Sequence, residues 1–62
     1  MDSKVYVIKK DCSGPMGLDF RKGDEIQIIR NMVYMGGFPV SIQYQEPIKE
    51  WVSNNKSQLT QR

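Results

Sequence analysis

The acidic side chains Asp19, Asp24 and Glu25 are the first candidates for acid–base chemistry, because they lie close together in the sequence. Asp24 and Glu25 are neighbours in a β-rich segment, so their side chains should point to opposite faces of a strand. The chain has no histidine and only one cysteine, Cys12, so neither a paired nucleophile nor a thiol or imidazole metal site can be built. No glycine loop that could cradle phosphate is present. We therefore expect no catalytic residues, no cofactor and no metal, and we expect Cys12 to pack as a buried or half-buried side chain.

Basic side chains offer a second kind of chemistry, which is contact with phosphate. The end of the first strand and the turn around residue 22 flank the same loop, so basic side chains should converge there. The converging set is Lys4, Lys9, Lys10, Arg21 and Lys22, of which the last four form the candidate binding edge. Nine basic and seven acidic residues give a net charge of only +2, with the two signs mixed along the chain. An ordinary solvated face, with these charges balanced by Asp11, Asp19, Asp24 and Glu25, is the simpler explanation, so weak nucleic-acid binding through this edge is only the alternative function.

Apolar side chains suited to a protein interface concentrate around a Gly36-Gly37 pair. Methionine and tyrosine adapt well to partner surfaces, and a core of this size has little room for so many apolar groups. Either the stretch forms an exposed patch, or two of its side chains point inward and two are merely exposed. Trp51 is either a half-buried sheet residue or an anchor for a ligand. The predicted protein-binding residues are Met32, Val33, Tyr34, Met35, Phe38 and Trp51.

Short β-rich segments separated by turn residues must position these groups. The predicted strands are residues 4–10, 24–30, 38–44, 48–52 and 58–60. Residues 45–47 are predicted to form a turn, and residues 53–56 a short 3₁₀ turn. Residues 31–37 either extend the second strand and turn back at Gly36-Gly37, or form a loop. Because no sustained helical period is evident, the pattern predicts a small all-β barrel of five strands. The predicted inward side chains are Leu18, Phe20, Ile26, Ile28, Val40, Val52 and Leu59.

One stretch of the chain carries a family resemblance. Residues 18–29, Leu-x-Phe-x-x-Gly-Asp-x-Ile-x-Ile-Ile, resemble the diverging turn of Src-homology-3 (SH3) domains. Residues 50–55 resemble the family's Gly-Tyr-Ile-Pro-Ser-Asn segment, in which a strand runs into one 3₁₀ turn. The resemblance implies a five-stranded SH3-like barrel with a short 3₁₀ turn before the last strand. It also implies that residues 11–17 form the long RT loop and that Gly23 has a positive φ.

The resemblance does not extend to the ligand-binding aromatic residues of the family. SH3 domains hold proline-rich peptides between aromatic side chains, which give flat contacts to a preformed polyproline helix. The corresponding positions here are Ile8, Lys10, Phe38, Ser53 and Lys56, and only Phe38 is aromatic. A proline-rich peptide is therefore not the expected partner.

Length and hydropathy limit the remaining possibilities. The 62 residues suffice for one small domain, which we expect to span residues 1–62. The only early apolar run, residues 5–8, is too short for a secretory signal or a membrane span, so we expect a cytoplasmic protein without membrane contact. The predicted function is that of a non-catalytic binding module for a protein partner. A second copy of the same chain, which would give a homo-oligomer, is one candidate partner. The small size would suit an accessory protein of a phage or mobile element.

Overall fold

A five-stranded antiparallel sheet and one helix make up most of residues 3–62, the part of the chain that the computed structural model describes. Two 3₁₀ turns, Pro15–Gly17 and Lys56–Gln58, complete the architecture. The strands and the helix are β1 (Ser3–Ile8), β2 (Cys12–Ser13), β3 (Asp19–Phe20), β4 (Glu25–Ile29), β5 (Met32–Met35), β6 (Phe38–Pro39), α1 (Ile42–Asn54) and β7 (Leu59–Gln61).

The sheet has the strand order β6-β5-β4-β1-β7, and β2 pairs with β3 in a separate two-stranded ribbon. Two tight hairpin turns join β4 to β5 and β5 to β6. Arg30 and Asn31 have φ values of 50° and 68°, and Gly36 and Gly37 have 64° and 85°. Positive φ at both central residues is what a type I′ turn requires. Since β6 and β7 are free edges, the sheet is open, and the predicted closed barrel is replaced by a mostly-β fold with one helix.

The largest correction concerns residues 38–52. The predicted strand 38–44 is limited to the two residues of β6, while the predicted turn 45–47 and strand 48–52 both lie within α1. The reason is the spacing of Gln45, Ile48 and Val52, the three buried residues of the helix. Intervals of three and four residues place them on one helical face, which a strand cannot do. The segment therefore buries more of its apolar surface as a helix lying against the sheet.

Three other predicted strands are confirmed to within about two residues, which is the usual uncertainty of strand ends. They correspond to β1, β4 and β7. Gly23 has a φ of 93° in the turn before β4, as expected. Of the two alternatives for residues 31–37, the structure has the hairpin turn at Gly36-Gly37. However, β5 does not extend β4, because the chain already reverses at Arg30 and Asn31.

The core lies between one face of the sheet, here called the inner face, and helix α1. Its buried side chains are Tyr6, Ile8, Phe20, Ile26, Val33, Ile48, Val52 and Leu59. Phe20 brings the ribbon into this core, because its ring packs edge-to-face with that of Trp51, with the ring centroids 4.9 Å apart. Of the side chains predicted to point inward, Leu18, Ile28 and Val40 are only partly buried against the core. Within residues 3–62, α1 is too short and too polar to cross a membrane.

Candidate functional site

The predicted protein-binding stretch divides between the two faces of the sheet. Val33 and Met35 point inward, and Val33 is completely buried, so its assignment to an interaction surface is wrong. Met32 and Tyr34 alternate with them and point outward, because successive side chains of a strand take opposite faces. This is the second arrangement that the sequence allows, with two side chains inside and two outside.

Strand pairing brings the outward side chains together with others that the sequence did not single out. Ile29 lies opposite Met32, and Tyr34 lies opposite both Gln27 on β4 and Pro39 on β6. Residues directly opposite each other in an antiparallel pair have Cβ atoms only about 5 Å apart. We call Ile29, Met32, Tyr34 and Pro39 the outer-face patch.

The outer-face patch has no second layer over it within residues 3–62. All the buried residues of the five-stranded sheet belong to the inner face, which α1 covers. The β2–β3 ribbon joins the same layer through Phe20, and its partner there is Trp51 of the helix. Met32 keeps 43% of its surface exposed and Ile29 keeps 36%. The patch is thus an apolar sheet surface in contact with solvent.

Phe38 and Trp51 do not join this patch. Phe38 pairs with the inward-pointing Met35, but it lies at the sheet edge and is 75% exposed. Trp51 is half-buried on the helix, on the opposite side of the sheet from Tyr34. Ile42 was predicted to lie inside strand 38–44. In the structure Ile42 begins α1 and is 91% exposed.

The predicted basic edge is assembled in part. The backbone N–H of Lys22 donates to the Asp11 carboxylate at 2.8 Å, and Gly23 N–H donates to the Ile8 carbonyl at 2.9 Å, so the two segments do meet. A carboxylate therefore lies within the cluster. The side chain of Lys9 points away from this cluster and towards the second 3₁₀ turn, since its Nζ donates to the carbonyl oxygen of Ser57 at 3.4 Å.

A different basic site, which was not predicted from the sequence, opens between helix α1 and the sheet. It is a cleft of about 510 Å³ near the Arg30–Asn31 turn. Its lysines come from three elements, with Lys4 on β1, Lys49 on α1 and Lys56 in the second 3₁₀ turn. We call it the basic cleft. Its other lining residues are Tyr6, Ile28, Asn31, Val52 and Ser53. Only the helical geometry of residues 42–54 reveals it.

The acidic side chains form no comparable site. Asp24 accepts a hydrogen bond from the backbone N–H of Arg21 at 2.9 Å, and Glu25 pairs with Arg62 at 2.6 Å. No group of three cysteine, aspartate or glutamate side chains in residues 3–62 is close enough to hold a metal ion. Cys12 is half-buried against the core, as expected.

Comparison with known proteins assigns no family to this geometry. A scan against protein-family models gave no match, and searches of curated proteins and of solved structures gave none either. The candidate functions therefore rest on the surfaces themselves.

Proposed function

We propose that this protein is a non-catalytic module that binds a protein partner through the outer-face patch. One observation carries the proposal, namely the row of apolar cross-strand pairs on a sheet face that nothing in residues 3–62 covers. An antiparallel sheet with one face in solvent normally has polar side chains there. Here the Ile29–Met32 and Tyr34–Pro39 pairs expose apolar groups side by side.

The chemistry of the patch favours a protein surface that presents apolar side chains of its own. Burial of apolar surface contributes roughly 25 cal/mol per Å², so covering these contiguous side chains would stabilise a complex. Methionine and tyrosine are also enriched in interface cores.

The test removes the two central side chains of the patch without touching the core. Met32→Ser with Tyr34→Ser should abolish capture of the partner that the unmodified protein retains from a lysate of its native host, as identified by mass spectrometry. The melting temperature should change little, because both side chains point outward. Met35→Ser is unsuitable for this purpose, since Met35 packs against the core.

A matched control is provided by Met16→Ser, which removes another exposed methionine from the 3₁₀ turn Pro15–Gly17. This variant should retain the same partner. Sedimentation analysis of the free protein measures its oligomeric state. A mass above that of the monomer would mean that the partner is a second copy of the chain. Loss of capture in both variants, or retention in both, would refute the outer-face patch as the binding surface.

We further propose that the fold is a relative of the SH3 barrel in which helix α1 takes the place of both the distal turn and the fourth strand. Three features support this relation. Gly23 has a positive φ in the turn before β4, the ribbon fills the excursion between β1 and β4, and the 3₁₀ turn Lys56–Gln58 leads directly into β7.

A proline-rich peptide should cause no saturable chemical-shift changes, because Phe38 is the only aromatic residue at the positions that hold the peptide in SH3 domains. Saturable binding of such a peptide would contradict this expectation.

A further inference from the structure

We propose that the basic cleft binds the phosphodiester backbone of single-stranded nucleic acid. The basic cleft is a different surface from the outer-face patch, and its ligand differs from the protein partner proposed for that patch. It also differs from the edge formed by Lys9, Lys10, Arg21 and Lys22, where Asp11 lies among the basic residues.

The position of Lys49 is fixed by two contacts. Its Nζ donates to the Asn31 carbonyl oxygen at 3.0 Å and forms an ion pair with Glu46 at 2.5 Å. The Lys49 side chain is only 17% exposed, whereas that of Glu46 is 82% exposed. Lys49 is therefore held against the turn that closes one end of the cleft, and Glu46 offsets one positive charge from the solvent side.

The other two lysines of the cleft have no such compensation from the described chain. The ion pairs within residues 3–62 are Lys49–Glu46 and Arg62–Glu25, so neither Lys4 nor Lys56 takes part in one. Two ammonium groups that have no ion-pair partner among residues 3–62, and a third that is held in place, thus line one cleft. Lysine contacts phosphate as a point charge, which matches the single charge of each phosphodiester.

The positive charge also extends beyond the cleft, which favours a polymer over a single phosphate. Lys9 lies beside its far end, because its Nζ is within 3.4 Å of the carbonyl of Ser57, the neighbour of Lys56. Arg30 adjoins Asn31 at the other end. A row of basic groups that tracks a backbone is typical of proteins that bind single strands.

The shape and floor of the cleft define the form of the nucleic acid. A duplex is too wide to enter a cleft of about 510 Å³ between a helix and a sheet, whereas one strand can. The ring of Tyr6 is almost fully buried and is not available for stacking on a base. We therefore expect contact with the backbone and little dependence on base sequence.

The test measures the affinity of the full chain for a fluorescent oligothymidine of about 15 nucleotides across a salt series. For single strands, each phosphate contact contributes about 0.7 to the slope of log K against log salt concentration. Lys4→Gln with Lys56→Gln should reduce the magnitude of that slope by about 1.4 and weaken binding at low salt. The matched control is Lys10→Gln with Lys22→Gln, which changes the net charge equally and should preserve the slope.

Thermal unfolding of both double variants should show that the fold is retained. Equal weakening by the two variants would mean that total charge, rather than the cleft, drives binding. Absence of binding to the unmodified protein at low salt would overturn the proposal. So would full displacement by inorganic phosphate, which indicates a site for a small anion, or by polyglutamate, which indicates an acidic protein as the ligand.

Discussion

Gln45 shows how a single residue joins the helix to the sheet. It is buried, yet its side-chain amide is fully engaged. Its Oε1 accepts from Val33 N–H at 2.7 Å, and its Nε2 donates to the carbonyls of Val33 and Val40 at 3.1 and 3.0 Å. The amide thus serves as a hydrogen-bonding partner for β5 at the point where the short strand β6 has already ended. Buried polar groups of this kind are tolerated only when they are satisfied.

Removing this amide should destabilise the protein measurably. Gln45→Leu keeps the side chain's bulk but leaves the buried Val33 N–H without its acceptor, so the free energy of unfolding should fall by about 1–3 kcal/mol. Chemical denaturation monitored by circular dichroism measures the change. Gln43→Leu, on the exposed side of α1, is the matched control and should have an effect below about 0.5 kcal/mol. Equal effects at the two positions would show that the hydrogen bonds of Gln45 contribute nothing.

Gly23 tests backbone conformation separately from packing. Its φ is 93°, and a Cβ added there would meet nothing within 4 Å, so a substitution suffers only from backbone strain. Gly23→Val should therefore cost about 1–2 kcal/mol of unfolding free energy. Gly23→Asn should cost clearly less, because asparagine tolerates positive φ better than a β-branched residue. Denaturation midpoints that are the same for the two variants would contradict the assigned turn.

At the scale of elements, the sequence predicts best where local pattern and tertiary environment agree. The alternation in β4 and the glycine at position 23 identified a strand and a turn correctly, and the turn at Gly36 was one of two alternatives that the sequence left open. The hairpin at Arg30 and Asn31 was missed, because arginine is not a residue that signals positive φ. Helix α1 was missed because Phe38, Val40 and Ile42 alternate like a strand. What decides its structure is the burial of a helical face against the sheet, and that depends on residues far away in the sequence.

Pro47 reinforced the wrong interpretation of that segment, and it remains a weakness of α1. It is the sixth residue of the helix, so it cannot donate to the carbonyl of Gln43, and its ring crowds that carbonyl. Pro47→Ala should restore the hydrogen bond and raise the free energy of unfolding by about 1 kcal/mol or more.

The midpoint of urea denaturation is the measurement for this prediction, with Glu50→Ala as the control at an exposed helical position. The control should shift the midpoint little, because glutamate and alanine differ only slightly in helix propensity. A Pro47→Ala variant that is less stable than the original protein would mean that packing of the proline ring outweighs the missing hydrogen bond.

At the scale of the whole molecule, the two candidate surfaces differ in how far the sequence could reveal them. Met32 and Tyr34 of the outer-face patch were foreseen, because they lie in one apolar stretch of a single strand. The basic cleft was not foreseen, because Lys4 is far from Lys49 and Lys56 in the sequence. They share a cleft only because α1 crosses the inner face of the sheet and leads towards β7, which pairs with β1.

This placement predicts that both ligands can be bound at the same time. Ile28 lines the basic cleft, while its neighbour Ile29 belongs to the outer-face patch, so the two sites lie on opposite faces of one sheet. The protein saturated with its partner should therefore bind oligothymidine with the affinity of the free protein to within about twofold, which corresponds to a coupling below ~0.5 kcal/mol.

The paired variants check this independence, because substitutions at sites that share no contacts have additive effects. Met32→Ser with Tyr34→Ser should leave oligothymidine affinity unchanged, and Lys4→Gln with Lys56→Gln should leave partner capture unchanged. Fluorescence anisotropy with and without saturating partner provides the direct measurement. A tenfold or greater loss of oligothymidine affinity in the presence of the partner, about 1.4 kcal/mol of coupling, would contradict independent sites. The partner would then have to reach around the sheet edge into the cleft, or the open sheet would have to transmit its binding from one face to the other.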